Sequence, residues 1–511
     1  MQRTLAILTS ALTLAFLPTL AAAKKPVGGP TGRIVIEGPI PIPFPANDPE
    51  GLPHIPGTRA VADLEQDVVE EEFFFSGFAD VYTYEEGNVH LGEKVIKAED
   101  LPYKTRIIVR RPAKGKDFNG TVVIESMNST ARFDTQPSWD PSAEYFAREG
   151  IVYIGATTSG NGSIPFLRGG CGGFAPSCGS RYASLGMMDN GQEYQMLNQL
   201  AASLKAKRGP LPKSFGRVER VFLSGQSQQG GSIITHASEF DSDAVDGYFF
   251  MGASSARRIS DGAPRLQGDE RRVRTDLPVP VYRGSSETDV GTGATRQDDT
   301  DTSPFASFRL IEVPATSHNT VHEVEVLPGL PLSFLCVNQP YSLADGPIFG
   351  SHVWNAMWEN MRIQVDEGIL PPYASRIEID GGVIVRDEFE NALGGVRLPE
   401  LDLPTNSYFS PRNEGKLICG DPDAPGFPGC IPSFEPAISD FLLRFIASLA
   451  CGLNGSLDPL SQETLDELYP NHGDYVSGIA DLTNQLMADR FLLPADGEIH
   501  KTDAAESDIG Q

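Results

Sequence analysis

Short apolar or β-branched runs alternate with amphipathic stretches along the middle of the chain. The short runs predict buried strands, and the stretches with helical spacing between them predict helices. Neighbouring strands early in this region, followed by strand–helix alternation, indicate an α/β fold with a mostly parallel sheet. The predicted strands are Glu72–Tyr84, Arg106–Val109, Thr121–Ile124, Ile151–Ala156, Val218–Leu223, Gly247–Met251, Pro278–Tyr282 and Phe308–Val313, and the predicted helices are Ser142–Arg148, Gln192–Lys205 and Gln229–Ser238.

The hydrophobic pattern changes beyond about residue 330. A helix is predicted over Trp354–Glu367 and a hairpin over Ile377–Val385, with an Asp-Gly pair at its turn. A further apolar helix, Ala437–Leu453, is too short and too charged to span a membrane. Residues 24–60 are rich in Pro and Gly. We therefore predict an extended N-terminal arm over 24–60, a core over 61–330 and a C-terminal extension over 331–511 that packs on the core.

The first 23 residues have the layout of a secretory signal peptide. A basic residue, Arg3, precedes an apolar stretch over residues 5–22, and small residues follow at 21–23. Pro18 and the alanine run argue against a membrane anchor, which needs about 20 apolar residues. The sequence therefore predicts a protein that is secreted or periplasmic, with no transmembrane segment after the signal is removed.

Six cysteines follow, an even number that indicates disulfides in an exported chain. Proximity along the sequence favours Cys171–Cys178 and Cys419–Cys430, which leaves Cys336–Cys451 as the third pair. Zinc is the competing interpretation, but the sequence has no Cys-x-x-Cys pair with a nearby histidine at ligand spacing.

Composition and charge exclude some classes of function for this protein. The chain is 40% hydrophobic, as a packed protein requires, and its formal net charge is −27. Because negative charge repels phosphate backbones, no nucleic-acid partner is expected.

The strongest chemical signal is the turn Gly225–Gly231, which lies between a predicted strand and a predicted helix. Small residues there allow a strained strand-to-helix turn that lifts a serine hydroxyl out of the sheet. Ser227 is therefore the candidate nucleophile. The motif departs from the usual Gly-x-Ser-x-Gly because Gln229 stands at the second glycine position.

An acid and a histidine follow two later strands. Glu287 and Asp289 come after one predicted strand, and His318 comes after the next. The order Ser, acid, His is that of α/β-hydrolase triads. We favour Glu287 as the orienting acid, since it follows the small-residue turn directly, and keep Asp289 as the alternative. His322 invites a metal interpretation, but the segment lacks the glutamate of a zinc-protease motif.

An oxyanion hole needs two N–H donors. The residue after the nucleophile, Gln228, supplies the first, and the loop after the strand Gly120–Glu125 supplies the second. We predict Met127 or Asn128 for that second donor.

These segments resemble the bacterial α/β-hydrolase domain-containing proteins of the carboxylesterase type, over most of the mature chain. The resemblance implies an α/β-hydrolase fold and a Ser227–Glu287–His318 triad, whereas the Cys171–Cys178 loop and the Cys419–Cys430 insertion depart from the family pattern. It is carried by Val123–Asn128, Arg181–Leu185, Gly225–Gln228, Arg274–Val281, Glu287–Val290, Arg296–Asp298, Asp380–Gly382, Ala392–Arg397 and Leu468–His472.

The leading functional hypothesis is a secreted serine hydrolase that cleaves a small-molecule or polymeric carboxylic ester through an acyl-enzyme, with no cofactor and no metal. An amidase, a thioesterase or an acyltransferase would use the same triad. A lipase or polyester hydrolase would add a lid, for which Ala437–Leu453 is the candidate. A hydrolase fold kept as a binding module is the non-enzymatic alternative. The sequence leaves the natural ester and the oligomeric state open.

Overall fold

The computed structural model describes residues 34–56, 59–173, 177–206, 211, 215–318, 325–327, 330–331, 350–410, 453 and 455–511. Several sequence predictions lie outside these residues. They are the signal peptide over 1–23, the helix over 437–453 apart from Leu453, His322, and the cysteines Cys336, Cys419, Cys430 and Cys451.

A ten-stranded sheet forms the centre of the molecule, with strand order β1-β2-β3-β5-β4-β6-β7-β8-β10-β9. The strands are β1 Val35–Glu37, β2 Val68–Tyr84, β3 Lys94–Pro112, β4 Thr121–Ser126, β5 Val152–Ala156, β6 Arg220–Gln226, β7 Gly247–Met251, β8 Val281–Ser286, β9 Thr300–Ser303 and β10 Ala306–Val313.

Six neighbouring strands, β5-β4-β6-β7-β8-β10, run parallel, and the remaining pairs are antiparallel. From β4 the chain goes first to β5 on one side and then to β6 on the other. The direction of strand order thus reverses at β4, and ligands bind outside the carboxyl ends of the strands at such a point. The predicted α/β fold with a mostly parallel sheet is confirmed.

Helices cover both faces of the sheet because successive residues of its central strands point to opposite sides. Val122 and Ile124 join one buried cluster with the helices Gln192–Lys205 and Gln228–Glu239, whereas Val123 joins a second cluster with the helices Trp139–Arg148 and Gly350–Glu367. The helices and the remaining strands are α1 Trp139–Arg148, α2 Ser163–Arg168, α3 Gln192–Lys205, α4 Gln228–Glu239, α5 Glu287–Gly291, α6 Gly350–Glu367, α7 Pro399–Asp402, α8 Gln462–Leu468, α9 His472–Ala488, α10 Pro494–Glu506, β11 Glu325–Leu327, β12 Leu330–Pro331, β13 Ile379–Asp380, β14 Val383–Ile384, β15 Asn406–Phe409 and β16 Ser456–Pro459.

The N-terminal arm is bound to the core rather than loose. Its strand β1 pairs antiparallel with Phe74–Ser76 of β2. Arg181 donates to the carbonyl of Pro41 at 2.6 Å, while the same guanidinium pairs with buried Glu72 at 2.7 Å. The predicted Cys171–Cys178 disulfide is present, in the loop beside the arm.

The C-terminal extension contributes both a helix of the core and a hairpin at the surface. Helix α6 packs its Trp354 and Trp358 against Phe249 of β7, so it completes the helical layer on one face of the sheet. The predicted hairpin forms between β13 and β14, with Gly381 and Gly382 between the paired strands. Within the described residues, no helix combines the length and apolar character needed to cross a membrane.

Candidate active site

Ser227 occupies a strained turn between β6 and α4. Its φ is +53° and its ψ is −115°, a backbone conformation that non-glycine residues rarely adopt. The turn is fixed by the N–H of Ser227, which donates to the carbonyl of Met251 at 2.8 Å, and by the N–H of Gly231, which donates to the carbonyl of Ser227 at 3.1 Å. Ser227 is partly exposed while its neighbours in β6 are buried. The serine therefore projects from the carboxyl end of the sheet, as the sequence predicts.

Gln229, the residue that breaks the usual motif, is buried in a polar network below the turn. Its amide nitrogen lies 2.7 Å from the hydroxyl of Ser126, the last residue of β4, and 2.6 Å from that of Thr158, which lies two residues after β5. It also donates to Glu193 of α3 at 3.2 Å. Burial raises the pKa of Glu193, although Arg257 opposes this shift. The glutamine thus ties the serine turn to three elements where a glycine would make no side-chain contact.

Gly230 and Gly231 take over the close packing that the missing glycine would provide. A Cβ on Gly230 would lie 2.8 Å from the carbonyl oxygen of Met251, and one on Gly231 would lie 2.8 Å from the side chain of Arg257. The first turn of α4 can therefore approach the loop after β7.

The carboxylate that orients the histidine is that of Asp289. Nδ1 of His318 lies 2.6 Å from Oδ1 of Asp289. Oδ2 of the same carboxylate accepts the N–H of Ser286 at 2.9 Å, in a capping box at the start of α5. Burial raises the pKa of Asp289, but His318 and the Ser286 hydrogen bonds outweigh burial and hold that pKa below its usual value.

The preference for Glu287 as the orienting acid is therefore corrected. The Glu287 side chain is fully buried, and it accepts hydrogen bonds from the N–H of Ala315 and from Arg386 instead of from His318. As the first residue of α5 it is turned away from the imidazole, whereas the capping-box position two residues later faces it. The pattern Ser-x-x-Asp over Ser286–Asp289 is a capping signal that could have identified the acid from sequence.

His318 lies over Gly252, the residue that follows β7. A Cβ on Gly252 would lie 2.8 Å from Cε1 and 3.1 Å from Nδ1 of His318. The side chain of Gln226 donates to the backbone carbonyl of His318 at 3.0 Å, which holds the histidine loop against the serine turn. The N–H of Ser227 donates to Met251, the residue before this glycine. The serine and the histidine therefore contact adjacent residues at the end of β7.

The predicted second oxyanion donor also needs correction. The N–H of Met127 donates to the carbonyl of Ala156 at 3.1 Å, and that of Asn128 donates to the carbonyl of Thr135 at 3.1 Å. Neither is available to a substrate. In the described part of the chain the N–H of the next residue, Ser129, has no such partner, and the Ser129 hydroxyl bonds to the side chain of Gln228 at 3.0 Å. This contact brings Ser129 beside the first residue of α4, whose own N–H has no place in the helical hydrogen-bond ladder.

The Asn128–Thr135 bridge is the reason that the N–H of Asn128, one of the two predicted donors, is already paired. Paired hydrogen bonds between Asn128 and Thr135 close a small loop after β4. The bridge also depends on a tertiary contact, because the side-chain amide of Asn128 donates to the carbonyl of Gln226 at 3.0 Å. No hydrophobic pattern reports such a bridge.

No three His, Cys, Asp or Glu side chains of the described ranges form a group that could hold a metal ion. His318 instead pairs with a carboxylate, as a general base requires.

Comparison with known proteins gives a family match. A family model described as an alpha/beta hydrolase domain matches residues 36–501. Solved structures similar to this chain include a putative dienelactone hydrolase from Klebsiella pneumoniae, with 14% identity, coverage of 42% of this chain and 73% of that one, and a TM-score of 0.24. A serine hydrolase without a lid from Xanthomonas campestris has 13% identity, coverage of 47% and 86%, and a TM-score of 0.26. Est1E from Butyrivibrio proteoclasticus has 10% identity, coverage of 46% and 88%, and a TM-score of 0.23. No curated protein matches the chain.

Proposed function

The chain belongs to the alpha/beta hydrolase domain family, and we propose that it is a serine hydrolase that cleaves carboxylic esters with Ser227, His318 and Asp289. The observation that carries the proposal is the backbone of Ser227, a serine held at positive φ where a strand turns into a helix. Strain of this kind persists where the surrounding structure over-determines it, and it clusters at active sites.

The proposed reaction begins with His318. Its Nδ1 is held by Asp289, which leaves Nε2 to accept the Ser227 proton while Oγ attacks the ester carbonyl carbon. The carbonyl electrons move to oxygen, and the oxyanion receives hydrogen bonds from the N–H groups of Gln228 and Ser129. One such donor is worth roughly 3–4 kcal/mol of barrier.

The tetrahedral intermediate then expels the alcohol, which takes the proton from the imidazolium, and an ester of Ser227 remains. Water repeats the sequence. It loses a proton to His318 and adds to the acyl carbon, and the second tetrahedral intermediate then breaks its bond to Oγ of Ser227, which takes the proton back from His318 as the acid is released. The buried hydrogen bonds of Gln229 support this chemistry because they hold the Ser227 turn in place.

Labelling with a fluorophosphonate tests the activated serine directly. We expect the protein to be modified at Ser227, as mapped by peptide mass spectrometry, and S227A to be unmodified and inactive on ester substrates. The neighbouring Ser224 is buried in β6 and provides the matched control, since S224A should still be labelled at Ser227. A folded wild-type protein that resists the reagent would reject the proposal in favour of the binding-module alternative.

A pair of acid variants tests which carboxylate orients the histidine. In D289N the amide stabilises the wrong tautomer of the imidazole, and we expect kcat to fall by about 10⁴-fold. In E287Q the amide oxygen still accepts the N–H of Ala315, so the loss should be far smaller. Steady-state kinetics on one activated ester decides between them, and a larger loss in E287Q would restore the original preference for Glu287.

We also propose that the protein is exported, on the basis of its N-terminal sequence. Mass spectrometry of protein secreted by a bacterial host should find a mature N-terminus close to Lys24. A chain that keeps residues 1–23 in the cytoplasm would reject this proposal.

A further inference from the structure

Glu287 connects three separate segments of the chain. Its Oε2 accepts a hydrogen bond from the N–H of Ala315 at 2.7 Å, and its Oε1 accepts one from Nη2 of Arg386 at 2.6 Å. Glu287 itself begins α5, two residues before the carboxylate that holds His318. Its side chain therefore touches both the histidine loop and the C-terminal extension while belonging to the acid turn.

The contact to Ala315 fixes the bend that delivers His318. Ala315 adopts a φ of +56°, a left-handed conformation that is unfavourable for alanine by roughly 1–2 kcal/mol. It lies two residues after the end of β10 and three residues before His318. Because the bend is strained, it needs an external hold, and the described structure gives its N–H the Glu287 carboxylate as acceptor.

Arg386 belongs to the segment after the β13–β14 hairpin, and its guanidinium makes several bonds there. It donates to the carbonyl of Glu390 at 2.7 Å and reaches the carbonyls of Tyr408 and Ser410 at 3.4 Å. The arginine side chain is mostly covered, and Glu287 is fully covered. A charge pair buried to this degree is costly to break, since either partner alone would be left without compensation.

We infer that the C-terminal extension, through the Glu287–Arg386 pair, holds His318 in position beside Ser227. The inference rests on the proposed function of Ser227 and His318. Glu287 acts through the Ala315 bend and touches no reacting atom, so it is a positioning residue. The C-terminal extension thereby takes part in the site although it supplies none of the proposed triad.

Two double variants separate positioning from simple stability. In E287L/R386M the charges are replaced by apolar side chains, which preserves folding but removes the acceptor for Ala315. In E287Q/R386M the charges are also removed, but an amide oxygen keeps that acceptor. We expect kcat to fall by about 100-fold in E287L/R386M, with KM unchanged, and by only about 10-fold in E287Q/R386M, where the amide keeps the acceptor for Ala315 but the link to the C-terminal extension is lost.

Arg376 provides the matched control. It also joins the C-terminal extension to the core, through a 2.7 Å pair with Asp299, and within the described residues its other hydrogen bonds go to the carbonyls of Leu310 and Ala374 rather than to residues 314–318. R376M should keep the wild-type kcat. Equal kcat values in the two double variants, or an equal loss in R376M, would overturn the inference.

A spectroscopic readout separates this inference from the proposed function. The proton between His318 and Asp289 should give a downfield ¹H signal that E287L/R386M loses and E287Q/R386M keeps. If wild-type Ser227 resists the fluorophosphonate while this signal behaves as expected, the proposed function fails and the positioning role stands. If Ser227 is labelled in all variants at the wild-type rate, the positioning role fails and the proposed function stands.

Should E287L/R386M fail to fold, R386M and R386K decide the question. Restoration of kcat by lysine, which can still pair with Glu287, supports the inference. A wild-type kcat in R386M overturns it.

Discussion

Three residues with positive φ surround the proposed reaction centre. They are Ser227 at +53°, Gly252 at +63° and Ala315 at +56°. The glycine adopts this conformation without steric cost, while the serine and the alanine are held in it by hydrogen bonds to Met251 and Glu287. Strain is thus concentrated where side chains must be placed accurately, in keeping with its distribution in other proteins.

Alanine at Gly252 should displace His318, because its Cβ would lie 2.8 Å from the imidazole. We expect G252A to lower kcat by about 100-fold, as steady-state kinetics would show. Gly262 is the matched control, since it has a φ of +74° and no atom within 4 Å of an added Cβ. G262A should share the backbone cost of roughly 1–2 kcal/mol and keep its activity. Similar kinetics for the two variants would mean that His318 tolerates the added methyl group.

At the scale of elements, the sequence located the site better than it resolved the contacts within it. Hydrophobic runs located β6, β8 and β10 and placed the end of β10 at Val313, but β6 and β8 continue past their predicted ends to Gln226 and Ser286. Ser227 follows β6 and His318 follows β10 in the structure. The choice between Glu287 and Asp289 depended on a capping box that fixes which carboxylate faces the imidazole. That capping box is a local sequence pattern of four residues, which hydrophobic periodicity does not record.

Strand β4 carries a buried acid next to the proposed oxyanion loop. Glu125 is fully buried, accepts the N–H of Ser138 at 2.9 Å and lies 2.7 Å from the Tyr153 hydroxyl. Burial raises its pKa from 4.5 to about 8, so the folded protein keeps a proton that the unfolded chain releases. The free energy of unfolding should therefore decrease as the pH rises from 4.5 towards 8 and lose this dependence above 8.

Replacing Glu125 with glutamine should remove that decrease. A neutral amide can accept from Ser138 and donate to Tyr153, so E125Q should match the wild type near pH 5 and exceed its stability increasingly towards pH 8. The difference should grow by at most about 1.4 kcal/mol per pH unit, as urea unfolding would measure. E65Q, at an exposed glutamate, should show no such trend. A difference that is constant with pH would mean that Glu125 is ionised in the folded protein.

At the scale of the whole molecule, buried arginines attach the N-terminal arm to the core. Arg181 and Arg106 share the carboxylate of Glu72, and both also donate to carbonyls of the arm. Arm and core are joined by charge pairs inside the protein, beneath a surface whose net charge is strongly negative. Pairs shielded in this way are screened much less by salt than exposed ones.

Loss of Arg181 should loosen the arm. We expect R181M to lower the free energy of unfolding by about 3–5 kcal/mol, because Glu72 loses a buried partner. Limited proteolysis should then cut within residues 34–56. R274M removes an exposed pair with Asp276 and should cost less than about 1 kcal/mol. Equal urea midpoints for the two variants would show that the arm is held by other contacts.

The arm also determines how the sheet ends. Both edges of the ten-stranded sheet are short strands, β1 with three residues and β9 with four. Short edges offer a neighbouring molecule few unpaired N–H and C=O groups. Strand β1 pairs with Phe74–Ser76 of the 17-residue β2, so removal of the arm would leave this stretch of β2 open to a strand from a second chain. Docking of the arm closes that part of the sheet edge to strand addition.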